Sequence, residues 1–417
     1  VTTPAVRAKA AGFLQGFDGL RAVAALLVVV VHVGGDSGYT YRSQVGFYTA
    51  RGEIGVSIFF LISGFLLYRP FVAAALAGRP GPALRSYLVR RALRIVPLYW
   101  VALWVYYAVT GWKSVHGISG LLQNMFFLQI YSKDWIFHGI TQAWSLCIEV
   151  TFYLALPLWA AGMRWWDRRR DRHAATTAEA VLRRELIALA VLYVASLAFR
   201  WWVVKYPTGP TQTARSWLPA WGDHFALGMA LAVVAAYVAQ TGKLPAVLRW
   251  LTKPGADVIS WIVAAVIFYL TARHIGLNTQ PLRVGGAKVD LQRQVLYGLF
   301  GLFVLLPAVF GRARTGAVRR LLASRVLALT GLVSYGIYLW HQLVIAELQK
   351  HTSWVALHSP FVPLLLVVLA ITLAVSTVTY LAVERPGIAV GHRWLLRQRE
   401  RAAEHPAEHP AAELPQL

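Results

Sequence analysis

The chain repeats one feature ten times: an apolar run long enough to cross a lipid bilayer. Hydrocarbon offers no partner for backbone N–H and C=O groups, so a crossing segment must bond to itself as a helix of about 20 mainly apolar residues. Such runs fall at residues 16–34, 54–76, 93–110, 144–163, 185–203, 220–239, 257–272, 294–311, 326–348 and 360–383. The stretch "ISGLLQNMFFLQIY" at 118–131 is apolar but short, which suits an interfacial or a re-entrant helix. Of the 417 residues 57% are hydrophobic and 14% charged, too few charges to coat a soluble domain of this size. The expected fold is an all-α polytopic membrane protein with about ten transmembrane helices.

Charge placement orients those helices. With the N-terminus in the cytoplasm, 27 of the 41 Lys and Arg residues fall in cytoplasmic segments (Arg94 counted with its loop) and 11 in outer ones. Arg21, Arg69 and Arg200 lie within spans. The positive-inside rule then predicts both termini in the cytoplasm. A net charge of +23 raises the question of nucleic acid. Here the charge sits in short loops beside spans, where lipid headgroups account for it, and no nucleic acid partner is expected. Residues 1–15 lack the layout of a cleavable signal and read as a retained cytoplasmic segment. A membrane domain at 16–386 follows, then a cytoplasmic tail at 387–417, mostly disordered, with a repeated AEHP and few bulky apolar groups. One cysteine, Cys147, excludes a disulfide within the chain and a cysteine-based metal site, and no metal is expected.

Ionisable residues inside spans are costly and usually face a protein interior or a wet cavity. In "GFDGLRAVAALLVVVVHVG" Arg21 and His32 are 11 residues apart, roughly 20° past three full turns, so they share a helix face roughly 16 Å apart. His32 can accept a hydroxyl proton, or simply be wetted at the span's end. Arg21 needs an anion, which Asp18 supplies at i−3 unless it caps the helix start. In "QAWSLCIEVTFYLALP" Glu149 is an acid within a span and Tyr153 lies one turn on. The carboxylate can polarise an imidazole, hold a substrate hydroxyl, or pair structurally with an arginine.

In "SYLVRRALRIVPLYW" Arg90, Arg91 and Arg94 gather with Arg85 at the cytoplasmic mouth of the third span. Guanidinium forks suit phosphate oxygens, though the same residues serve as a positive-inside anchor. Ser63 in "RGEIGVSIFFLISGFLLYRP" reads first as a packing residue, with a hydrogen bond inside the bundle as the second role. Ser334, Tyr338 and His341, at i, i+4 and i+7, form one polar stripe that can line a cavity with His32. Asp223 and His224 stand near the outer end of the sixth span, where they can contact a polar acceptor or merely sit in the headgroup zone. Trp112, Trp135, His138, Trp217 and Trp221 lie in or near outer segments and can stack on sugar rings or serve as interface aromatics.

Taken in order, these motifs closely resemble the acyltransferase 3 family of integral membrane O-acyltransferases, from about residue 14 to 386. The resemblance is carried by "DGLRAVAALLVVVVH", "FFLISGFLL", "RRALRIVPLYW", "WSLCIEVTFYLALP", "FALGMALA" and "SYGIYLWH". The family motif often has two acids followed by Gln; this chain has Glu149, Val150 and Thr151, so one carboxylate must carry the role. Some members continue into an extracytoplasmic esterase-like domain, which is not expected after the tenth span here.

The resemblance implies an enzyme of the bacterial cytoplasmic membrane, inner or plasma. It would move an acyl group, commonly acetyl, from acyl-CoA to a hydroxyl of an envelope glycan, glycolipid or similar acceptor. His32, Glu149 and Arg21 are the implied catalytic residues, with Glu149 orienting the His32 imidazole. Arg90, Arg91, Arg94 and Tyr99 would bind the donor, whose pantetheine arm runs into a cavity between the spans. Asp18, Ser63, Trp144, Tyr153, Asp223, Ser334, Tyr338 and His341 would contact substrate or line the cavity. The partners expected are the bilayer, the acceptor and, in one option, further copies of the chain. The alternative is a secondary transporter or exporter of a polar or lipid-linked solute, which also needs ten spans and buried charges.

Overall fold

Each apolar run closes its backbone hydrogen bonds as a helix. The computed structural model describes residues 4–111, 117–133, 138–170, 177–207, 211–275, 286–310 and 316–404. Its long helices are α1 Pro4–Asp36, α2 Ile54–Leu76, α3 Leu84–Thr110, α4 Trp144–Arg170, α5 Ala178–Lys205 and α6 Gly222–Thr241. They continue as α7 Ala256–His274, α8 Ala287–Phe310, α9 Arg325–Leu332, α10 Ser334–His351, α11 Phe361–Thr379 and α12 Arg385–Glu404. Among the described residues nine helical stretches are long and apolar enough to cross a membrane. The pair α9–α10, bent by 70° at Val333, makes a tenth when read as one crossing.

Helix α2 is mainly apolar and sits at the centre, with most of its side chains buried against other helices. It crosses α6 where both lack a side chain: Gly64 abuts the Phe225 carbonyl and Gly228 the Leu61 carbonyl. Helices in lipid gain little from hydrophobicity and associate by such close backbone approach. Phe225 then packs on Phe60 and Phe152, with ring centroids 4.7 Å and 4.0 Å apart. Outer helices keep apolar faces exposed, as at Ile187, Val191 and Val194 of α5 and Val362, Leu366 and Val378 of α11.

Alternating crossings divide the bundle into two ends. The starts of α1, α3, α5 and α7 share the first end; the starts of α2, α4, α6 and α8 share the second. The short segment at 118–131 belongs to the second end. It forms a helix over Gly117–Met125 and a single turn over Gln129–Tyr131, too short to cross. Its far end accepts hydrogen bonds from Tyr99 at Asn124 O (2.9 Å) and from Trp100 at Met125 O (3.1 Å). Tyr99 lies 11 residues inside α3 from Thr110, roughly 16 Å of helix rise. The segment therefore enters the bundle and turns back, through Phe127 at a φ of 61°.

The C-terminal region departs from the expected disorder. A turn of π-helix, Tyr380–Glu384, joins α11 to α12, and helix persists to Glu404. Helix α12 gains a partner that composition does not reveal: Gly387 and Gly391 lie against Leu93 of α3, and Arg85 stacks 4.8 Å from the Trp394 ring. Residues 405–417, with most of the AEHP repeat, lie outside the described residues.

Candidate active site

At the centre of the bundle lies a cavity of about 370 Å³ walled by α1, α2, α3, α4 and α10. Arg21, Arg91 and Arg94 bring positive charge to it, Glu149 negative charge, and Ser63, Ser145, Tyr153, Ser334, Tyr335 and Tyr338 hydroxyl groups. Helix period explains the local sets. Arg91 and Arg94 are one turn apart on α3, Ser145 and Glu149 one turn apart on α4, and Ser334 and Tyr338 one turn apart on α10.

Within this cavity Ser63 donates a hydrogen bond to Glu149 Oε1, so Ser63 is more than a packing residue. The expected link from Glu149 to His32 is not the contact the structure makes. His32 belongs to a different pair. Its Nδ1 lies 2.9 Å from Val28 O and 3.0 Å from Nε2 of His341, while His341 Nδ1 lies 2.9 Å from Ile337 O. Neither imidazole lines the central cavity, but the His341 ring is 6.3 Å from the ring of Tyr338, which does. Tyr338 is fixed in turn: its hydroxyl donates to Gln142 O and lies 2.9 Å from Ser145 Oγ. Gln142 Nε2 donates back to the carbonyls of Tyr338 and Leu339.

Arg21 finds the carboxylate its position demands, Asp18, at 2.9 Å. Asp18 itself does not reach the cavity; its backbone is the surface on which Gly331 of α9 rests. Arg91 and Arg94 also wall a second, smaller cavity of about 190 Å³, with Arg90, Leu93 and the α12 residues Ile388, Gly391, His392, Leu395 and Leu396. These two arginines therefore stand between a space beside α12 and the central cavity. Tyr99 is elsewhere: it is fully buried, bonded to Asn124 O and approached by Gln129, and walls neither space.

Two more expected cavity residues go to the second end of the bundle. Trp144 lines a separate pocket there, of about 430 Å³, together with Trp221. Asp223 is buried behind that pocket, bonded by Gln294 at 2.9 Å and paired with His224 at 3.1 Å, so neither Asp223 nor His224 sits in a headgroup zone. Trp217 donates to Ile130 O and holds the re-entrant segment. Trp112 and Trp135 lie outside the described residues. Sequence reasoning missed Ser145 and Tyr335, although Ser145 lies within the Trp-Ser-Leu motif and Tyr335 follows Ser334 directly.

The fold defines a polytopic membrane protein whose charged and hydroxyl-bearing side chains meet inside the bundle. The chain belongs to the acyltransferase 3 family: the family model, described as an acyltransferase domain, matches residues 14–381. It is similar to nodulation protein 10 of Rhizobium leguminosarum bv. viciae, 28% identical across 81% of this chain and 84% of that protein. It is also similar to the exopolysaccharide production protein ExoZ of Rhizobium meliloti, 26% identical across 82% of this chain and 92% of that one. A third relative, the peptidoglycan O-acetyltransferase OatA of Listeria monocytogenes, is 23% identical across 80% of this chain but 49% of its own length. The chain thus spans about half the length of that relative. No solved structure matches it.

Proposed function

We propose that this protein is an O-acyltransferase of a bacterial cytoplasmic membrane, moving an acyl group, acetyl first among the candidates, from acyl-CoA to a hydroxyl of an envelope glycan or glycolipid. The observation that carries the reading is the placement of Arg91 and Arg94, which wall both the space beside α12 and the central cavity. Guanidinium pairs of this kind suit the phosphates of a CoA-type donor. On ten crossings both termini and these arginines share one side of the bilayer, and the positive-inside rule makes that side the cytoplasm. Family membership and the names of two relatives, a peptidoglycan O-acetyltransferase and an exopolysaccharide production protein, support the same reading.

A bound acyl-CoA supplies an electrophilic thioester carbonyl and a thiol leaving group. The chain's own residues supply the rest. His341 accepts a hydrogen bond from the His32 Nδ1–H, which leaves the His32 Nε2 lone pair free to take the acceptor's hydroxyl proton. The same proton then returns from His32 to the leaving sulfur, so the imidazole is regenerated as the ester bond forms and the thioester bond breaks. Arg21 and the Ser63–Glu149 pair hold the donor side of the cavity polar and fixed.

The test is transfer of labelled acetyl from acetyl-CoA to extracted envelope glycolipids by the protein in lipid nanodiscs. Label should appear on a sugar or lipid and vanish in His32→Ala with folding intact. Absence of both transfer and thioester cleavage, across donors and extracts, returns the chain to the transporter reading.

A further inference from the structure

The pocket at the second end of the bundle is unlike the central cavity. It is lined by Lys133, Arg200, Arg215, Arg293, Glu53, Trp144 and Trp221, among others. Those residues come from the start of α2, the end of α5, the approaches to α4 and α6, and the start of α8, all at the end opposite Arg91 and Arg94. Its depth matches that of His32: Gly52, beside Glu53, rests on the Leu27 carbonyl and on Val31, next to His32.

The charge in this pocket is organised around one buried carboxylate. Asp290 is 1% exposed and takes Arg200 through two bonds (2.6 and 3.3 Å), Arg215 at 2.6 Å and Arg293 at 2.8 Å. Glu53 accepts from Tyr297 at 2.7 Å and has Arg51 and Arg293 at 3.6 Å. Counting Asp223 behind the wall, Lys133, Arg51, Arg200, Arg215 and Arg293 face three carboxylates, all already paired, so the pocket stays positive. Three guanidinium groups on Asp290 use only part of their donor capacity. Arg215 is 31% exposed and Lys133 is exposed, so both have charge to offer to the open space.

The aromatic wall adds a second requirement. The Trp144 and Trp221 rings lie 5.4 Å apart, and Arg200 sits 4.7 Å from the Trp221 centroid, which pins that ring in place. Fixed indole faces suit the C–H face of a sugar ring, and the cations suit an oxyanion attached to it. We propose that this pocket holds the acceptor of the transfer reaction, and that the acceptor is an anionic carbohydrate, with a phosphate or carboxylate seated on Arg215, Arg293 and Lys133 and a sugar ring against Trp144 and Trp221. This assignment rests on the acyltransferase reading for its meaning, but the binding it requires does not.

The test measures binding of glucose 1-phosphate, glucuronate, glucose and inorganic phosphate to the full chain in detergent. At least one anionic sugar should bind about tenfold or more tightly than both glucose and inorganic phosphate. The double variant Arg215→Gln/Lys133→Gln, chosen because it leaves the buried Arg200–Asp290 pair intact, should lose most of that preference at unchanged thermal stability. Preference for glucose 1-phosphate alone assigns a glycosyl phosphate such as a lipid-linked sugar; preference for glucuronate alone assigns a uronic acid; either supports the proposal. Glucose or inorganic phosphate binding as tightly as the better of the two anionic sugars, no binding of either anionic sugar, or a preference that survives in the double variant overturns it. Acetyl-CoA cleavage by the same preparation is scored separately: its absence with the preference intact sinks the acyltransferase reading and leaves the anion pocket standing.

Discussion

His341 Nε2 lies 3.0 Å from His32 Nδ1, across 309 residues of sequence, and the two rings' other bonds settle where the protons are. His341 Nδ1 faces the Ile337 carbonyl, which accepts only from a protonated nitrogen, so His341 Nε2 carries a lone pair. His32 Nδ1 faces that lone pair and the Val28 carbonyl, so it carries the proton and shares it between them. His32 Nε2 is left as the basic nitrogen. A tautomer that burial and two backbone carbonyls fix in advance is what a general base needs.

His341→Phe should therefore lower kcat on the order of 10²-fold, through loss of the correct ring orientation, while KM for acyl-CoA stays near its original value. His341→Gln keeps an acceptor for the His32 proton and should recover part of the loss. Steady-state kinetics in nanodiscs decides it; equal activity in wild type and His341→Phe would remove His341 from the mechanism.

Removing the Ser63 hydroxyl takes one hydrogen-bond donor from Glu149, to which Tyr153 is also bonded, in a space of low dielectric. Ser63→Ala should cost about 1–2 kcal/mol of stability, the range for a buried hydrogen bond to a charged group tempered by the smaller values found in membranes. Equilibrium unfolding in mixed micelles measures this. A change near zero would mean that water or another side chain replaces the hydroxyl at no cost.

Arg91→Ala and Arg94→Ala should each weaken CoA binding about tenfold or more, as loss of a charge-assisted bond predicts. Lysine at either position should restore only part, because an ammonium lacks the forked geometry. Calorimetric titration with CoA reports both. Unchanged affinity in the double variant would reduce these residues to topological anchors.

The crossing of α2 and α6 leaves no room for a methyl group at Gly228, whose Cβ would overlap the Leu61 carbonyl. Gly228→Ala should destabilise the protein by about 1–3 kcal/mol, as overpacking does, despite alanine's better helix propensity. A thermal shift in detergent tests the sign, and a rise in Tm would show that the helices separate freely.

What was legible in the sequence was what short-range period controls. The crossing helices, the Arg21–Asp18 pair at i+3 and the shared face of Ser334 and Tyr338 all follow from 3.6 residues per turn. Beyond the expected nearness of His341 to His32, partnerships across the bundle were not legible. Ser63 and Glu149 are 86 residues apart, and nothing local says that α2 presents the Ser63 hydroxyl to that acid rather than to lipid. The family resemblance pairs Glu149 with His32, whereas helix packing gives His32 an imidazole partner. Tyr99 sits in a motif beside the arginines, yet two residues past Pro97 it turns away from the cavity toward the re-entrant segment. The helicity of α12 was hidden because its apolar contacts with Leu93 exist only once α3 is in place.

Helix α1 runs unbroken from Arg21 to His32, and that continuity acts as a ruler. Exchanging one apolar residue for another between them changes neither the spacing nor the facing of the two groups. Inserting or deleting a single residue would rotate one end by about 100° and shift it by about 1.5 Å, turning either Arg21, together with its partner Asp18, from the cavity or the imidazole from His341. The segment is thus tolerant in spelling and intolerant in length, so that engineering of this helix is free to change its letters but not their number.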